Sequence, residues 1–231
     1  MDKSLSYNRE IINWGYLLGY LGLFLVLPPI IGLPVVLYMV WKKNHPKYSD
    51  YLLLMACVAI YMGAINATKQ PSGDQVNYYV AYMNVPVLGF LKSLIYIYGT
   101  DYFVDPGKVH ISGEFMNGVY NYLGYYLTFG NYPLFAALYT FVEYLMIYLG
   151  LYKVFRKAQM PKYPIVCGVL TLSFFYLFFQ YTLQIQKQFF AQAIMMYVLG
   201  SYAEKGKMTI KLWLIALCSI LTHASTGLFL P

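Results

Sequence analysis

Apolar runs close to the length of a bilayer-spanning helix recur along this chain, separated by short basic turns. The runs cover Trp14–Val40, Tyr51–Asn66, Pro133–Tyr152, Tyr163–Tyr181 and Phe189–Ala203, and a last one begins near Leu212. A helix needs about 20 predominantly apolar residues to cross the hydrocarbon of a membrane. Hydrophobic residues make up 60% of the chain and charged residues 11%, outside the range of an ordinary soluble domain. The pattern predicts an all-α, polytopic helical membrane protein with about six spans, forming one integral membrane domain over residues 1–231. The chain stops inside an apolar stretch, Leu228-Phe-Leu-Pro231, so a longer protein with further spans is expected.

The net charge of +7 is read as a matter of membrane sidedness, which leaves no expected nucleic-acid partner. The turns at 41–47, 153–162 and 204–211 hold three, four and three Lys or Arg, ten of the sixteen in the chain. The positive-inside rule puts these turns in the cytoplasm. The N-terminus, the long section 67–132, the segment around Lys187 and His223 then face outward. The first run contains Pro28, Pro29 and Pro34. Its two halves are each too short to span, so one kinked span is expected. It lacks a small-x-small cleavage site and reads as a retained helix. Cys57, Cys167 and Cys218 all lie in apolar runs, with neither metal spacing nor a disulfide framework, and are expected to act as small buried hydrophobes.

The section 67–132 is more polar and is interrupted by Pro71-Ser-Gly-Asp74, Gly99-Thr-Asp101 and Asp105-Pro-Gly107. Interfacial or re-entrant pieces are expected there, with a short amphipathic helix over Gly113–Phe129 that carries Glu114 in its first turn. Asp101 and Asp105 are spaced so that two carboxylates could meet a metal, but Asp-Pro-Gly is an ordinary turn signal and the turn reading is favoured. No metal or cofactor is expected.

Three clusters can carry chemistry. Asp74 precedes Tyr78, Tyr79 and Tyr82. Tyrosine rings stack on sugars and amides read hydroxyls, which suits a sugar-binding or acid/base site; an interfacial loop with an Asp helix cap and Tyr anchors fits the same residues. Lys187 stands among Gln184, Gln186 and Gln188, with Gln192 one turn on. Two readings stand for it, a phosphate-binding point charge and a lysine that snorkels to the interface. His223 follows an apolar run and precedes Ser225 and Thr226; it can act as a general base or be a buried, hydrogen-bonded histidine.

The ordered set Gly73-Asp74-x-x-x-Tyr78-Tyr79-x-x-Tyr82, Gln186-Lys187-Gln188-Phe189-Phe190-Ala191-Gln192 and Leu221-Thr-His223-Ala-Ser225 resembles the EpsG family of Wzy-like polysaccharide polymerases. The resemblance covers about residues 50–231. It implies a multi-pass protein of the cell inner membrane that joins oligosaccharide repeat units carried on undecaprenyl pyrophosphate, with other polysaccharide assembly proteins as further partners. It implies Asp74 and His223 as catalytic residues and Lys187 as the basic residue that meets the lipid pyrophosphate. Gln188, Tyr78, Tyr79, Tyr82 and Glu114 are the expected substrate contacts. Lys187 stands where the family usually shows Arg, which removes bidentate recognition of a phosphate. A lipid-sugar flippase is the rival expectation; it needs polar or charged residues at mid-span depth and an inverted repeat. A non-catalytic membrane subunit is the other.

Overall fold

A computed structural model describes residues 12–97, 110–111, 115–175, 179–180 and 186–230. Among the described residues, the regular structure is helical apart from one two-residue antiparallel bridge, β1 (Tyr96–Ile97) to β2 (His110–Ile111). The chain divides into two units, Met1–Val58 and Ala59–Pro231.

The first unit is built on α1 (Trp14–Val26), α2 (Pro29–Lys42) and the start of α3 (Tyr48–Ala67). The Asn13 side chain caps α1 by accepting from the Tyr16 amide at 3.0 Å. The break falls at Leu27-Pro28, as the proline pair predicts, whereas Pro34 is carried inside α2. One kinked span does not form. Over 27 residues, a continuous helix would hold Tyr16 and Lys43 about 40 Å apart. Instead the Lys43 ammonium donates to the Tyr16 hydroxyl at 3.4 Å, and the Asn13 amide donates to Ser49 Oγ at 3.2 Å. The two helices therefore form a hairpin. The start of α1 returns to the basic turn 41–47.

Asp50 organises the base of this hairpin. Its carboxylate accepts from Lys43 at 2.5 Å and from the Lys47 amide at 2.8 Å. Burial opposes the charge on Lys43, but its bonds to Asp50 and Tyr16 outweigh it and hold the ammonium above the usual lysine range.

The second unit has α7 (Tyr132–Lys157) at its centre. Around it stand α4 (Asp74–Met83), α5 (Val85–Ile95), α6 (Phe115–Leu127), α8 (Lys162–Phe174), α9 (Gln186–Lys205) and α10 (Ile210–Thr222), followed by a 3-10 turn at Ala224–Phe229. Helices α6, α7, α9 and α10 lie within a few residues of the sequence expectations, whereas α8 ends at Phe174, seven residues before the end of the expected run Tyr163–Tyr181. Two helices, α4 and α5, stand where interfacial or re-entrant pieces were expected, and α5 is broken at Gly89, where φ is +68°.

Helices α7 and α9 run parallel. Tyr139 meets Phe190 with ring centroids 4.3 Å apart, and eleven residues further along Gly150 meets Gly200. A Cβ on Gly200 would lie 2.2 Å from the Gly150 carbonyl oxygen, and one on Gly150 2.4 Å from that of Met196. Only glycine allows this backbone contact, the small-residue packing that membrane helices use. Helices α8 and α10 run back the other way. The Tyr148 hydroxyl bonds Ser173 across α7 and α8, and Ser219 Oγ donates to the Ala191 carbonyl across α10 and α9 at 2.7 Å.

The turns after α7 and α9 consequently share one end of this unit. There, the Glu204 carboxylate lies 4.0 Å from Lys153 and 3.7 Å from Arg156, so two of the three basic turns lie together. Among the described residues, two helices are long and apolar enough to cross a membrane, Tyr48–Ala67 and Tyr132–Lys157. Cys57 is buried as expected, but Cys167 faces outward from α8 and Cys218 is half-buried.

Candidate functional site

The opposite end of the second unit gathers the starts of α7 and α9 and the end of α10. Aromatic rings hold it together. Tyr82 stacks on Phe135 at 4.7 Å and meets Tyr132 edge-on at 5.5 Å, and Phe190 lies between Tyr120 and Tyr139. Such pairs add to the burial of ring area.

A cavity of about 550 Å³ opens here, with Asn66, Lys69, Gln75, Tyr79 and Tyr132 in its lining. Asn66 is fixed by donating to Thr140 Oγ1 at 2.8 Å and by accepting from the Gln75 amide at 3.4 Å. The Tyr79 ring is held edge-on to Tyr132 at 4.9 Å while 37% of its residue surface stays exposed. Volume and lining fit a small polar ligand that offers hydroxyls to amides and a flat face to a ring.

A second cavity, of about 430 Å³, is lined by Ile147, Leu172, Phe189, Gln192, Met196 and Phe229. It is almost wholly apolar. Its first α9 residue, Phe189, stands two places after Lys187 at the helix start.

The expected residues distribute over this end as follows. Lys187 and Gln188 are half-buried in the first turn of α9. His223 caps the end of α10, and its Nδ1 lies 2.7 Å from Ser225 Oγ, which orients the ring. Next to it, the Tyr120 hydroxyl lies 3.1 Å from Thr222 Oγ1, tying α6 to the end of α10. Asp74 begins α4, where a carboxylate suits the helix dipole; its side chain lies outside the described residues. Glu114, Asp101 and Asp105 also lie outside them.

Tyr79 faces the cavity and Tyr78 is half-buried, but Tyr82 cannot contact a substrate. It is 0% exposed, and its hydroxyl lies 2.5 Å from Thr128 Oγ1. Tyr82 is a core residue. Helical spacing explains this: Gln75, Tyr78 and Tyr82 follow one face of α4, and that face turns inward.

Glu143 is the residue that the sequence reading passed over. It lies near the middle of the 26 residues of α7 and is 1% exposed. Neither carboxyl oxygen has a hydrogen-bond partner, nor does the buried hydroxyl of Tyr139 one turn before it. A single acid inside the run Tyr139-Thr-Phe-Val-Glu143-Tyr-Leu-Met was the available signal. An ionisable group in a spanning helix marks function by default. No group of metal-ligating residues occurs among the described residues.

No family model, curated protein or solved structure matches this chain.

Proposed function

We propose that this is a multi-pass membrane protein that transfers glycan repeat units between undecaprenyl pyrophosphate carriers on the outer face of the inner membrane. The observation that carries this reading is a pair of cavities in the second unit, one at the start of α7 and one that runs along α9 from Phe189 to Leu199. A cavity lined by Tyr79, Tyr132 and a few polar side chains suits a sugar, and a more apolar cavity that starts two residues after Lys187 suits the isoprenoid chain of a lipid-linked donor. The cations of the turns at 153–162 and 204–211 collect at the other end, as the positive-inside rule asks of a cytoplasmic face.

In the reaction, an acceptor sugar hydroxyl attacks the anomeric carbon of the donor. The bond from that carbon to the pyrophosphate oxygen breaks, and the lipid pyrophosphate leaves. Lys187 balances the charge that develops on the leaving oxygen. His223 or Asp74 takes the proton from the attacking hydroxyl. Tyr79 and the amides of Asn66 and Gln75 hold the sugar.

Glu143 favours a second reading. A buried acid at mid-span depth is what a lipid-sugar flippase requires of its transport path. One experiment separates the two. The gene is deleted, and lipid-linked and surface glycans are resolved on gels after restoring wild type, Lys187→Ala, His223→Ala or Glu143→Gln. Polymerisation predicts that single lipid-linked units accumulate on the outer face, with long chains restored by wild type but not by Lys187→Ala or His223→Ala. Transport predicts accumulation on the cytoplasmic face and a defect in Glu143→Gln. Unchanged glycan pools on deletion would remove both readings.

A further inference from the structure

The N-terminal hairpin has a polar base and an apolar tip. At the base, Trp14 and Trp41 are 59% and 46% exposed, beside Tyr38, Lys42 and the Lys43–Asp50 pair. At the tip, Leu25, Val26 and Ile30 are 67%, 83% and 81% exposed. In water such a tip would be a liability. Aromatic residues at one level, with lysines beside them and aliphatic residues beyond, match the layering of a membrane interface.

The length of the hairpin decides how it is placed. Helices of 13 and 14 residues reach about 20 Å, short of the roughly 30 Å of hydrocarbon. Neither helix crosses, and both ends of the hairpin stay at one surface. A chain that reverses inside hydrocarbon must also satisfy its backbone. Here Pro28 and Pro29 have no N–H to strand. The Leu27 amide donates to the Leu23 carbonyl at 3.0 Å, and the Pro28 carbonyl accepts from Ile31 at 2.8 Å and Gly32 at 2.9 Å. The turn is built with few free donors.

We infer that residues 14–42 form a re-entrant hairpin that dips into one leaflet of a phospholipid bilayer and returns to the face it entered. The turn at Leu27–Pro29 lies in hydrocarbon. Trp14, Trp41, Lys42 and Lys47 lie among the headgroups, where the lysines favour anionic lipids. The inference rests on the membrane reading above and adds to it that the first apolar run contributes no crossing.

Two measurements on the full chain in its membrane test it, both with Cys57, Cys167 and Cys218 replaced by Ala. The first introduces Asn13→Cys and Ser49→Cys together and applies a mild oxidant. A hairpin places these residues side by side, so more than half of the chains are expected to form the internal disulfide. No disulfide would mean that the two sites stand apart, as they do in one kinked span. The second labels Ile12→Cys, His45→Cys and Val26→Cys singly with a membrane-impermeant maleimide, in vesicles of both orientations. Ile12→Cys and His45→Cys are expected to label from the same face, and Val26→Cys from neither until detergent is added. Labelling of the first two from opposite faces would overturn the hairpin and leave the membrane reading standing. Labelling of Val26→Cys in intact vesicles would place the tip outside lipid. Release of the protein by alkaline carbonate would overturn the membrane reading itself.

Discussion

The N-terminal hairpin and the α7–α9 seam solve opposite problems with the same residue types. In the hairpin, the polar groups pair with one another at the base while the large aliphatic side chains point outward. In the seam, the aromatic and aliphatic side chains interlock, the backbones touch through Gly150 and Gly200, and one acid is enclosed with no partner. The hairpin takes its shape from a few polar contacts at its base. The seam takes its shape from the fit of its own atoms. Substitutions in the seam should therefore be costly, and those at the hairpin base cheap.

The largest effect is expected at the backbone contact. Gly200→Val places carbon atoms where the Gly150 carbonyl stands, so α7 and α9 must separate. A loss of more than about 3 kcal/mol is expected, seen as early helix melting by circular dichroism in detergent. A variant that melts with wild type would show that the seam yields like the hairpin. Glu143→Leu should act in the other direction. It removes a buried carboxyl without a partner, and a gain of about 1–3 kcal/mol is expected, with a higher melting temperature. A drop on that substitution would reveal a partner for the carboxyl in the membrane. Tyr82→Phe keeps the ring stack on Phe135 and removes only the bond to Thr128, for a cost of about 1 kcal/mol.

The smallest effect is expected at Lys43→Met. The Lys43 side chain is 41% exposed, and although that of Asp50 is 4% exposed its carboxylate keeps the bond from the Lys47 amide, so a loss of about 1 kcal/mol is expected. Its pKa in the folded protein is raised, so its contribution is present at neutral pH and fades as pH rises through a value above 10.5. Melting curves across that range should converge for wild type and Lys43→Met. Curves that stay apart would place the origin of the difference elsewhere.

The helices were legible where apolar runs ended at charged turns. Pro133–Tyr152 was expected and Tyr132–Lys157 found, and Phe189–Ala203 was found as Gln186–Lys205. Hydropathy registers length and ends, and these helices announce both. The hairpin was not legible, because Pro28-Pro29 predicts a break without fixing the angle across it. That angle is set by Lys43 meeting Tyr16 and Asn13 meeting Ser49, contacts between residues distant in sequence. Tyr79 and Tyr82 looked alike in a tyrosine-rich run, and only the packing of α4 separates a cavity wall from a core ring. Glu143 was readable but hidden by the average of the run around it.

The contact between Gly150 and Gly200 also orders events during synthesis. Its two halves lie 50 residues apart, with α8 and its turns between them. At about 5–20 residues per second, the glycine face of α7 waits roughly 3–10 s for its partner to be made. During that interval the ribosome has already produced α8, which holds α7 through Ser173 but leaves the glycine face open. Whatever covers Gly150 in those seconds has to leave when α9 arrives.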